Sequence, residues 1–458
     1  MTVWPPPAVR GGDVWNIQDM AGSPREEYKA GKALRKRVKR SAHAEWEPLA
    51  HRRDPTAVIF AQDESRLRDL VPIRHERMAA GPFPFLRGAA AVMAGDLATT
   101  PSTGLTVQAC GDAHLMNFGF YASPERILVF DVNDFDETLP GPWEWDVKRL
   151  VASFAVAARD QGFGDGVARD VARRAATSYR ERMLDLAGRT NLDVYYTMTT
   201  AEDVYARITR KGARRRARKL IDHTRGRDNL QAVEKLTRRD GDALRIVDQP
   251  PLLEHTGAFE AADIVDRSLD EYARSLRDDA GFLLREYRYM DAARKVVGVG
   301  SVGTRCFVVV LQGRDARDPL VLQLKEAGRS VLEPYLSPSA YRNQGRRVVA
   351  GQRLLQSVSD VFLGWSADGP HDYYWRQLRD MKGSVDITDM NEYGLGLYAR
   401  LCGGTLAVAH ANTGPRIRIA GYLGRSDAFD QAVADFAMAY ADQNDRDHAA
   451  FKAAVRPT

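Results

Sequence analysis

The densest polar stretch of the chain is Cys110–Leu150, CGDAHLMNFGFYASPERILVFDVNDFDETLPGPWEWDVKRL. It places Asp112 and Asn117 five positions apart in a turn-like segment that follows an apolar-alternating run. A predicted hairpin then brings several polar side chains to one strand end: Asp131, Asn133, Asp134 and Asp136. Carboxylates that gather in a partly desolvated place need a cation or protons between them. The stretch therefore predicts a site for a hard cation, Mg²⁺ or Mn²⁺.

The spacing of Asp112 and Asn117 resembles the D-x-x-x-x-N catalytic loop of protein kinases and small-molecule kinases. In those enzymes the aspartate orients or deprotonates the acceptor hydroxyl, and the asparagine holds Mg²⁺. Asp134-Phe135-Asp136 similarly resembles the metal-binding D-F-G motif, with Asp in place of Gly. The resemblance implies a catalytic role for Asp112 and metal binding by Asn117 and Asp134, with Asp131 as the weaker candidate for the same role.

Two residues of the stretch have structural alternatives. Asp146 lies twelve positions after Asp134, where sugar-antibiotic and choline kinases carry an Asp that ties the catalytic loop to the next helix. Alternatively, Asp146 caps a helix that begins near Val147. His114 has the chemistry of a metal ligand or a base, but packing or hydrogen bonding within the loop is the favoured interpretation.

Composition is typical of a globular protein. The 458 residues, 44% hydrophobic and 28% charged, leave room for two or three lobes and argue against a disordered chain. No apolar run approaches the roughly 20 residues of a membrane span, and the first residues carry no signal pattern, so we expect a cytoplasmic location and no membrane partner. Cys110, Cys306 and Cys402 predict neither a disulfide framework nor a zinc site.

Positive charge is concentrated between Arg207 and Arg227, although the formal net charge is only +5. This segment could bind the phosphates of a nucleotide, a nucleic acid or an acidic partner, but a solvated helix face is the favoured interpretation. Little aromatic interleaving argues against single-strand binding. Further upstream, Arg74, Arg77 and Arg87 are candidates to reach a phosphate.

From Lys295 the sequence becomes rich in valine, and the valines flank a glycine pattern formed by Gly298, Gly300 and Gly303. The β-branched run after the last glycine predicts a hairpin, so a dinucleotide-binding fingerprint, which opens a helix, is excluded. A glycine-rich hairpin resembles the cover that kinases place over ATP phosphates, because glycine lets backbone amides approach the anionic oxygens.

The next predicted strand ends at Lys325, which resembles the kinase lysine that contacts the α and β phosphates. Its carboxylate partner is not evident: Glu333 is a candidate from position only, and the predicted helix from Tyr341 to Leu355 offers no Glu. A strand pair further on leads to a predicted hinge that would pair with adenine through backbone groups near Gln377 to Arg379.

These signals occur in reversed order, because the catalytic loop precedes the glycine hairpin and the lysine. We therefore predict an α+β chain with a protein-kinase-like two-lobed fold that is circularly permuted, with a large helical lobe and a small antiparallel β-rich lobe. The predicted parts are an irregular arm at 1–25, a helical lobe at 26–290, a β-rich nucleotide-binding lobe at 291–382 and C-terminal helices that complete the helical lobe at 383–458.

The chain also resembles, over most of its length, a bacterial family catalogued as domain of unknown function 2252 and grouped with the kinase-like superfamily. The matching stretches include ALRKRVKRSAHAEW, FLRGAAAVMAGDL, VGVGSVGTRC, LQLKEAGRSVLEPYL and GQRLLQSVSDVFLGW. The resemblance implies a fold more than a reaction. Ala350 departs from it, because relatives tend to have Glu there in V-V-E-G-Q-R; if that Glu is the usual partner of the lysine, activity is reduced or differently arranged.

The leading hypothesis is a phosphotransferase that depends on ATP and Mg²⁺ (or Mn²⁺) and acts on an unidentified small molecule or protein hydroxyl. Nucleotidyl transfer onto a protein is an alternative on the same scaffold. A second hypothesis is a non-catalytic kinase-like binding module, associated with nucleic acid through Arg214, Arg215, Arg216 and Arg218. A third is a metal-dependent hydrolase that uses His114 with Asp112 and Asp131, but it leaves the glycine hairpin unexplained.

Overall fold

The structure is a computed structural model that describes residues 22–225, 233, 236–255, 261–378, 383–388 and 390–455. Most of the predicted arm at 1–25 lies outside the described residues. Its last part is structured, because Ser23 caps the first helix and exchanges hydrogen bonds with Glu26.

The α-helices of the described residues are α1 Pro24–Ala33, α2 Pro55–Asp63, α3 Val71–Ala79, α4 Pro82–Gly88, α5 Ala90–Leu97, α6 Trp143–Asp160, α7 Asp165–Ala187, α8 Asn191–Tyr195, α9 Ala201–Ala206, α10 Lys211–Arg225, α11 Ala261–Ser275, α12 Asp278–Leu284, α13 Gln344–Leu355, α14 Glu392–Thr413, α15 Arg416–Leu423 and α16 Ala428–Ala454.

The strands are β1 Thr106–Ala109, β2 Phe118–Ala122, β3 Leu128–Val132, β4 Leu139–Pro142, β5 Thr237–Asp240, β6 Ala243–Ile246, β7 Leu253–Glu254, β8 Arg288–Lys295, β9 Cys306–Gln312, β10 Pro319–Glu326, β11 Gly364–Asp368, β12 His371–Gln377 and β13 Gly383–Ser384. Helix and strand are thus combined in one chain, which confirms the α+β class.

The late strands form one six-stranded antiparallel sheet in the order β11-β12-β10-β9-β8-β7. Alternate residues of β9 enter two different cores: Phe307 and Val309 pack with α11, whereas Val308 and Val310 pack with residues of β6. Both faces of the central strands are therefore covered, which explains their nearly continuous apolar sequence.

The largest hydrophobic core is built by helices from both ends of the chain. It contains Phe154 of α6 and Tyr179 of α7 together with Leu406 of α14 and Phe436 of α16. Helices α14 and α16 both pack against α7. The helices that follow the sheet thus complete the core begun by the helices that precede it.

Several predicted boundaries are corrected by the structure. The sequence predicts a helix at about 165 to 187, with Asp165 as its N-cap and with apolar residues at the helical period. Helix α7 covers this range, but its N-cap is Gly164. Helix α6 begins at Trp143, ahead of the expected start at Val147. The helical lobe that we expected up to 290 includes the β5–β6 hairpin, whose two-residue turn begins at Gly241 with φ +60°.

The described residues contain no helix that combines the length and the apolar character needed to cross a membrane.

Candidate functional site

The β2–β3 hairpin brings the two predicted metal-binding residues together. Asn117 directly precedes β2, and Phe118 pairs with Val132 at the end of β3. The backbone N–H of Asn133 donates to the carbonyl of Asn117 at 2.8 Å. This register places the turn that begins with Asp134 beside Asn117.

The loop between Asp112 and Asn117 is closed by its own side chains. The side-chain amide of Asn117 donates to the backbone carbonyl of Asp112 at 2.6 Å, and this orientation leaves the amide oxygen for a cation. Gly111 enters the loop with φ +82°, and a Cβ there would lie 2.3 Å from the carbonyl oxygen of Glu137. Glycine is required at this position both by its conformation and by the close approach of the neighbouring chain.

Asp146 ties this loop to helix α6, which is the first of the two alternatives for this residue. Its carboxylate accepts from the backbone N–H of Cys110 at 2.6 Å and from that of Gly111 at 3.0 Å. His410, which is fully buried, lies 3.1 Å from the same carboxylate through Nε2. The alternative that Asp146 caps the helix is wrong, because α6 starts three residues earlier.

His114 holds the loop in shape. Its Nδ1 accepts from the backbone N–H of Met116 at 3.1 Å, and its Nε2 lies 3.8 Å from Asp112. Burial lowers the pKa of His114 well below its usual value, and Arg87 and Arg149 act in the same direction. A neutral, buried imidazole with this contact confirms the structural role.

Asp112 is oriented by an arginine that sequence reasoning missed. Arg149 of α6 contacts one carboxylate oxygen of Asp112 through Nε at 2.8 Å and Nη2 at 2.7 Å. Burial raises the pKa of Asp112, an effect that Arg149 and Arg87 oppose. The available signal was spacing: Arg149 lies one helical turn after Asp146 on the same face.

The lysine of the six-stranded sheet contacts the acidic turn, which is residues 134–137 after β3. Lys325 of β10 forms an ion pair with Asp136, and the Tyr374 hydroxyl donates to the same carboxylate at 2.8 Å. Burial opposes both charges, yet their attraction holds the pKa of Asp136 below its usual value and that of Lys325 well above. The direct partner of Lys325 is therefore Asp136, while Asp134 lies close enough to support the lysine charge.

The predicted glycine hairpin is confirmed as the connection between β8 and β9. Gly298 and Gly303 have φ of +64° and +91°, which is the left-handed region that glycine favours. The hydroxyl of Ser301, between them, donates to Asp136 at 3.4 Å. A Cβ at Gly300 would lie 3.3 Å from the carbonyl oxygen of Arg87, so the loop also packs closely against α4.

The upstream arginines have separate roles. Arg74 is fully buried in an ion pair with Asp63 at 2.5 Å, and Arg77 donates to the carbonyl of Gly298 at 2.6 Å. Arg87 interacts electrostatically with Asp112 and Asp134. Its buried Nε has no hydrogen-bond partner among the described residues. Of the three, Arg87 is the one placed to meet an anion at the acidic turn.

A cleft continues from this cluster between the late sheet and the β2–β3 hairpin. Arg376 crosses it, donating to Gln323 at 2.8 Å and to the carbonyl of Asn133 at 3.2 Å. Gln377 also lines the cleft, but its backbone N–H already donates to Asp360. The adenine-binding role of this segment stays a prediction, and Arg379 of the same hinge lies outside the described residues.

Asp131 is placed differently from its neighbours. One carboxylate oxygen accepts from the N–H and the hydroxyl of Ser357 at 2.9 and 2.7 Å, and the other accepts from Val132 at 2.8 Å. Because these bonds hold both oxygens, Asp131 anchors the loop after α13, and its contacts favour this structural role over metal binding. Within the described residues, no three His, Cys, Asp or Glu side chains lie close enough together to form a metal-binding group.

Glu333, the candidate partner of Lys325 suggested by its position in the sequence, makes a different contact. Glu333 accepts from the N–H of Ser339 at 3.4 Å. Ala350 lies in α13, where the relatives' Glu was expected, so this helix supplies no carboxylate. The carboxylate that pairs with Lys325 comes instead from Asp136, in the turn after β3.

No curated protein and no solved structure matches the chain. The model of a family described as an uncharacterized protein conserved in bacteria (DUF2252) matches residues 66–454. This range includes the acidic turn, the glycine hairpin and the lysine strand, and it covers most of the sequence. The chain therefore belongs to the DUF2252 family.

Proposed function

We propose that the protein is a phosphotransferase of circularly permuted, kinase-like fold that uses ATP and a divalent cation to phosphorylate a small molecule or a protein hydroxyl. The observation that carries the proposal is the contact between Lys325 and Asp136. It joins two segments that occur in the reverse of the usual kinase order, beneath a glycine loop whose Ser301 reaches the same carboxylate.

Each side chain has a role that its surroundings support. Asp112, whose pKa burial raises, would orient or accept the proton of the acceptor hydroxyl. Asn117 and Asp134 would hold Mg²⁺, which would neutralise the charge of the phosphate oxygens. Lys325 would anchor the α and β phosphates, and Arg87 would face the γ phosphate from its position near Asp112 and Asp134.

The glycine loop would supply backbone N–H groups to the phosphates. Gly298 and Gly303 permit its left-handed turns, and Gly300 keeps a side chain away from the carbonyl of Arg87. Donors held in place before the reaction stabilise developing charge without reorganisation. The cleft beside Arg376 would receive the nucleoside.

Thermal unfolding with nucleotide tests the proposal. We expect ATP with Mg²⁺ to raise the melting temperature, and we expect EDTA to abolish this shift. Asp134→Asn should lose the nucleotide shift. Asp131→Asn is the matched control: it makes the same change three residues earlier at a carboxylate held by Ser357, and it should keep the shift whatever its own melting temperature.

A parent protein without any Mg²⁺-dependent nucleotide shift would overturn the proposal. Equal loss in the two variants would show that the cation site has been placed wrongly. Incubation with ATP labelled at either the γ or the α phosphate then separates the two chemistries on the same scaffold. Label transferred from the γ position supports phosphoryl transfer, whereas label transferred only from the α position supports nucleotidyl transfer.

A further inference from the structure

An apolar cavity that opens to solvent lies in the helical part, and its lining includes no residue of the acidic turn. It is lined mainly by α9, α10, α14 and the segment after β13, and its volume is about 540 Å³. Its walls are mainly aliphatic and aromatic, with contributions from Phe120, Val204, Leu220, Val385, Leu397 and Leu401. Cavities of this size and character are typical of small-molecule sites.

The cavity and the polar cleft lie on opposite faces of β2. Phe120 lines the cavity, whereas its neighbour Tyr121 lines the cleft. Successive side chains of a strand point to opposite faces, and the two linings have no residue in common. The cavity is therefore separate from the proposed nucleotide site.

Helix α10 covers the cavity with one face. Ala213, Ala217, Leu220 and Ile221 recur at the helical period and line it. Arg216 lies among them on this apolar face. Arg215 lies on the basic face of α10 with Arg218, beside Tyr205 of α9. A cation on the apolar side of the helix is unexpected for a merely solvated basic surface.

The mouth of the cavity is positively charged. Arg216 and Arg400 line it and are exposed. Among the described residues of α10, the arginines in ion pairs are Arg218 with Asp222 and Arg225 with Glu202. The acid at the mouth, Asp386, accepts from the backbone N–H of Thr388 at 2.9 Å, so part of its hydrogen-bonding capacity is used within its own turn.

We propose that this cavity binds an amphipathic anion: an aliphatic chain inside, with a carboxylate or phosphate head at Arg216 and Arg400. The apolar walls remove the chain from water, and the guanidinium groups match the geometry of either anion. This ligand site is additional to the proposed phosphotransferase site, and the proposal does not depend on the proposed function.

Isothermal titration calorimetry of the full chain with ten-carbon probes, each below its micellar concentration, tests the site. Decanoate and decyl phosphate should bind, and decanol should bind about tenfold or more weakly, because it lacks the charge. Decylammonium should not bind measurably. The stronger of the two anions identifies the head group, whereas equal binding of decanol and decanoate would overturn the proposal.

Matched variants on α10 locate the site. Arg216→Ala should weaken decanoate binding about tenfold, and Arg215→Ala, on the other face, should leave it unchanged. Ala217→Trp fills the cavity and should abolish binding. If circular dichroism shows that this variant is unfolded, Leu397→Trp fills the cavity from α14 in its place. Parent-like affinity in both Arg216→Ala and a folded cavity-filling variant would overturn the proposal.

The two proposals fail independently. Decanoate should bind equally well with and without Mg²⁺ and ATP, and Asp134→Asn should bind decanoate as the parent does. A decanoate signal that disappears in Asp134→Asn would show that the probe occupies the acidic turn, which would overturn the separate site.

Discussion

The two faces of β2 border cavities of opposite character. One face borders the cleft, which leads to a cluster whose charged groups are already paired: Lys325 with Asp136, and Arg149 with Asp112. On the other face, an apolar cavity has its cations exposed at the mouth. The paired cluster is held in position by its own contacts, so we expect changes there to affect both stability and the proposed reaction. The cavity is formed by packed apolar side chains, so we expect its arginines to affect the proposed binding and to have little effect on folding.

The largest effect is expected at the buried pair. Asp136→Ala leaves Lys325, whose side chain is 3% exposed, as a buried charge without its direct partner. Removing one partner of such a pair costs about 3 to 5 kcal/mol, and we expect about 3 kcal/mol in urea unfolding because Asp136 is partly exposed. The double variant Lys325→Met with Asp136→Leu should recover most of this loss. A single variant as stable as the parent would contradict the pairing.

A smaller loss of stability is expected where the loop is tied to α6. Asp146→Ala removes the acceptor for the N–H groups of Cys110 and Gly111, and buried donors without acceptors cost about 2 kcal/mol in total at this site. Asp165→Ala, at the exposed start of α7, is the control and should change the free energy of unfolding by less than about 0.5 kcal/mol. Similar losses in the two variants would argue against the tie.

The pH dependence of stability provides the third test. Burial raises the pKa of Glu137 to about 7 from its usual 4.5. The folded state therefore holds a proton that the unfolded state releases, so the contribution of Glu137 to stability falls as pH rises from about 4.5 to about 7.

Glu137→Gln removes this proton exchange, so the variant should gain stability relative to the parent by about 1.5 kcal/mol between pH 4.5 and pH 7.5, after allowance for partial exposure. Urea unfolding at several pH values measures the difference. A difference that is constant with pH, or that reverses, would contradict the raised pKa.

The smallest effect is expected at the cavity mouth. Arg216→Ala and Arg215→Ala should each change the free energy of unfolding by less than about 0.5 kcal/mol, because both are exposed on α10. Only Arg216→Ala should change decanoate affinity. A substantial loss of stability in Arg216→Ala would show that this arginine supports the fold. That result would contradict the expected difference between the paired cluster and the cavity.

Sequence reasoning located the elements that depend on local patterns. Valine-rich runs around the glycines predicted the β8–β9 hairpin, and the helical period predicted α7, because both signals are contained within a short segment. The tie from Asp146 was also foreseen, through its distance from Asp134 along the chain. The range of α10 was visible as a basic segment, but its apolar face was not weighed.

Contacts between distant segments could not be predicted in the same way. The choice of Asp136 over Asp134 as the partner of Lys325 depends on how β10 packs against the turn after β3, and no local pattern encodes that approach. The orientation of Asp131 could not be predicted for a similar reason: it depends on the loop at Ser357, more than two hundred residues away. Short strands such as β5 and β6 were missed because the surrounding sequence is rich in charged residues.

The most direct test of the proposed site is the position of a bound cation. A crystal of the protein with Mn²⁺ and a non-hydrolysable ATP analogue can locate the metal by its anomalous scattering. We predict a peak about 2.2 Å from an Asp134 carboxylate oxygen and from the Asn117 amide oxygen, with the triphosphate between Lys325 and the glycine loop. A triphosphate bound elsewhere, or this site left empty with the analogue present in excess, would contradict the account.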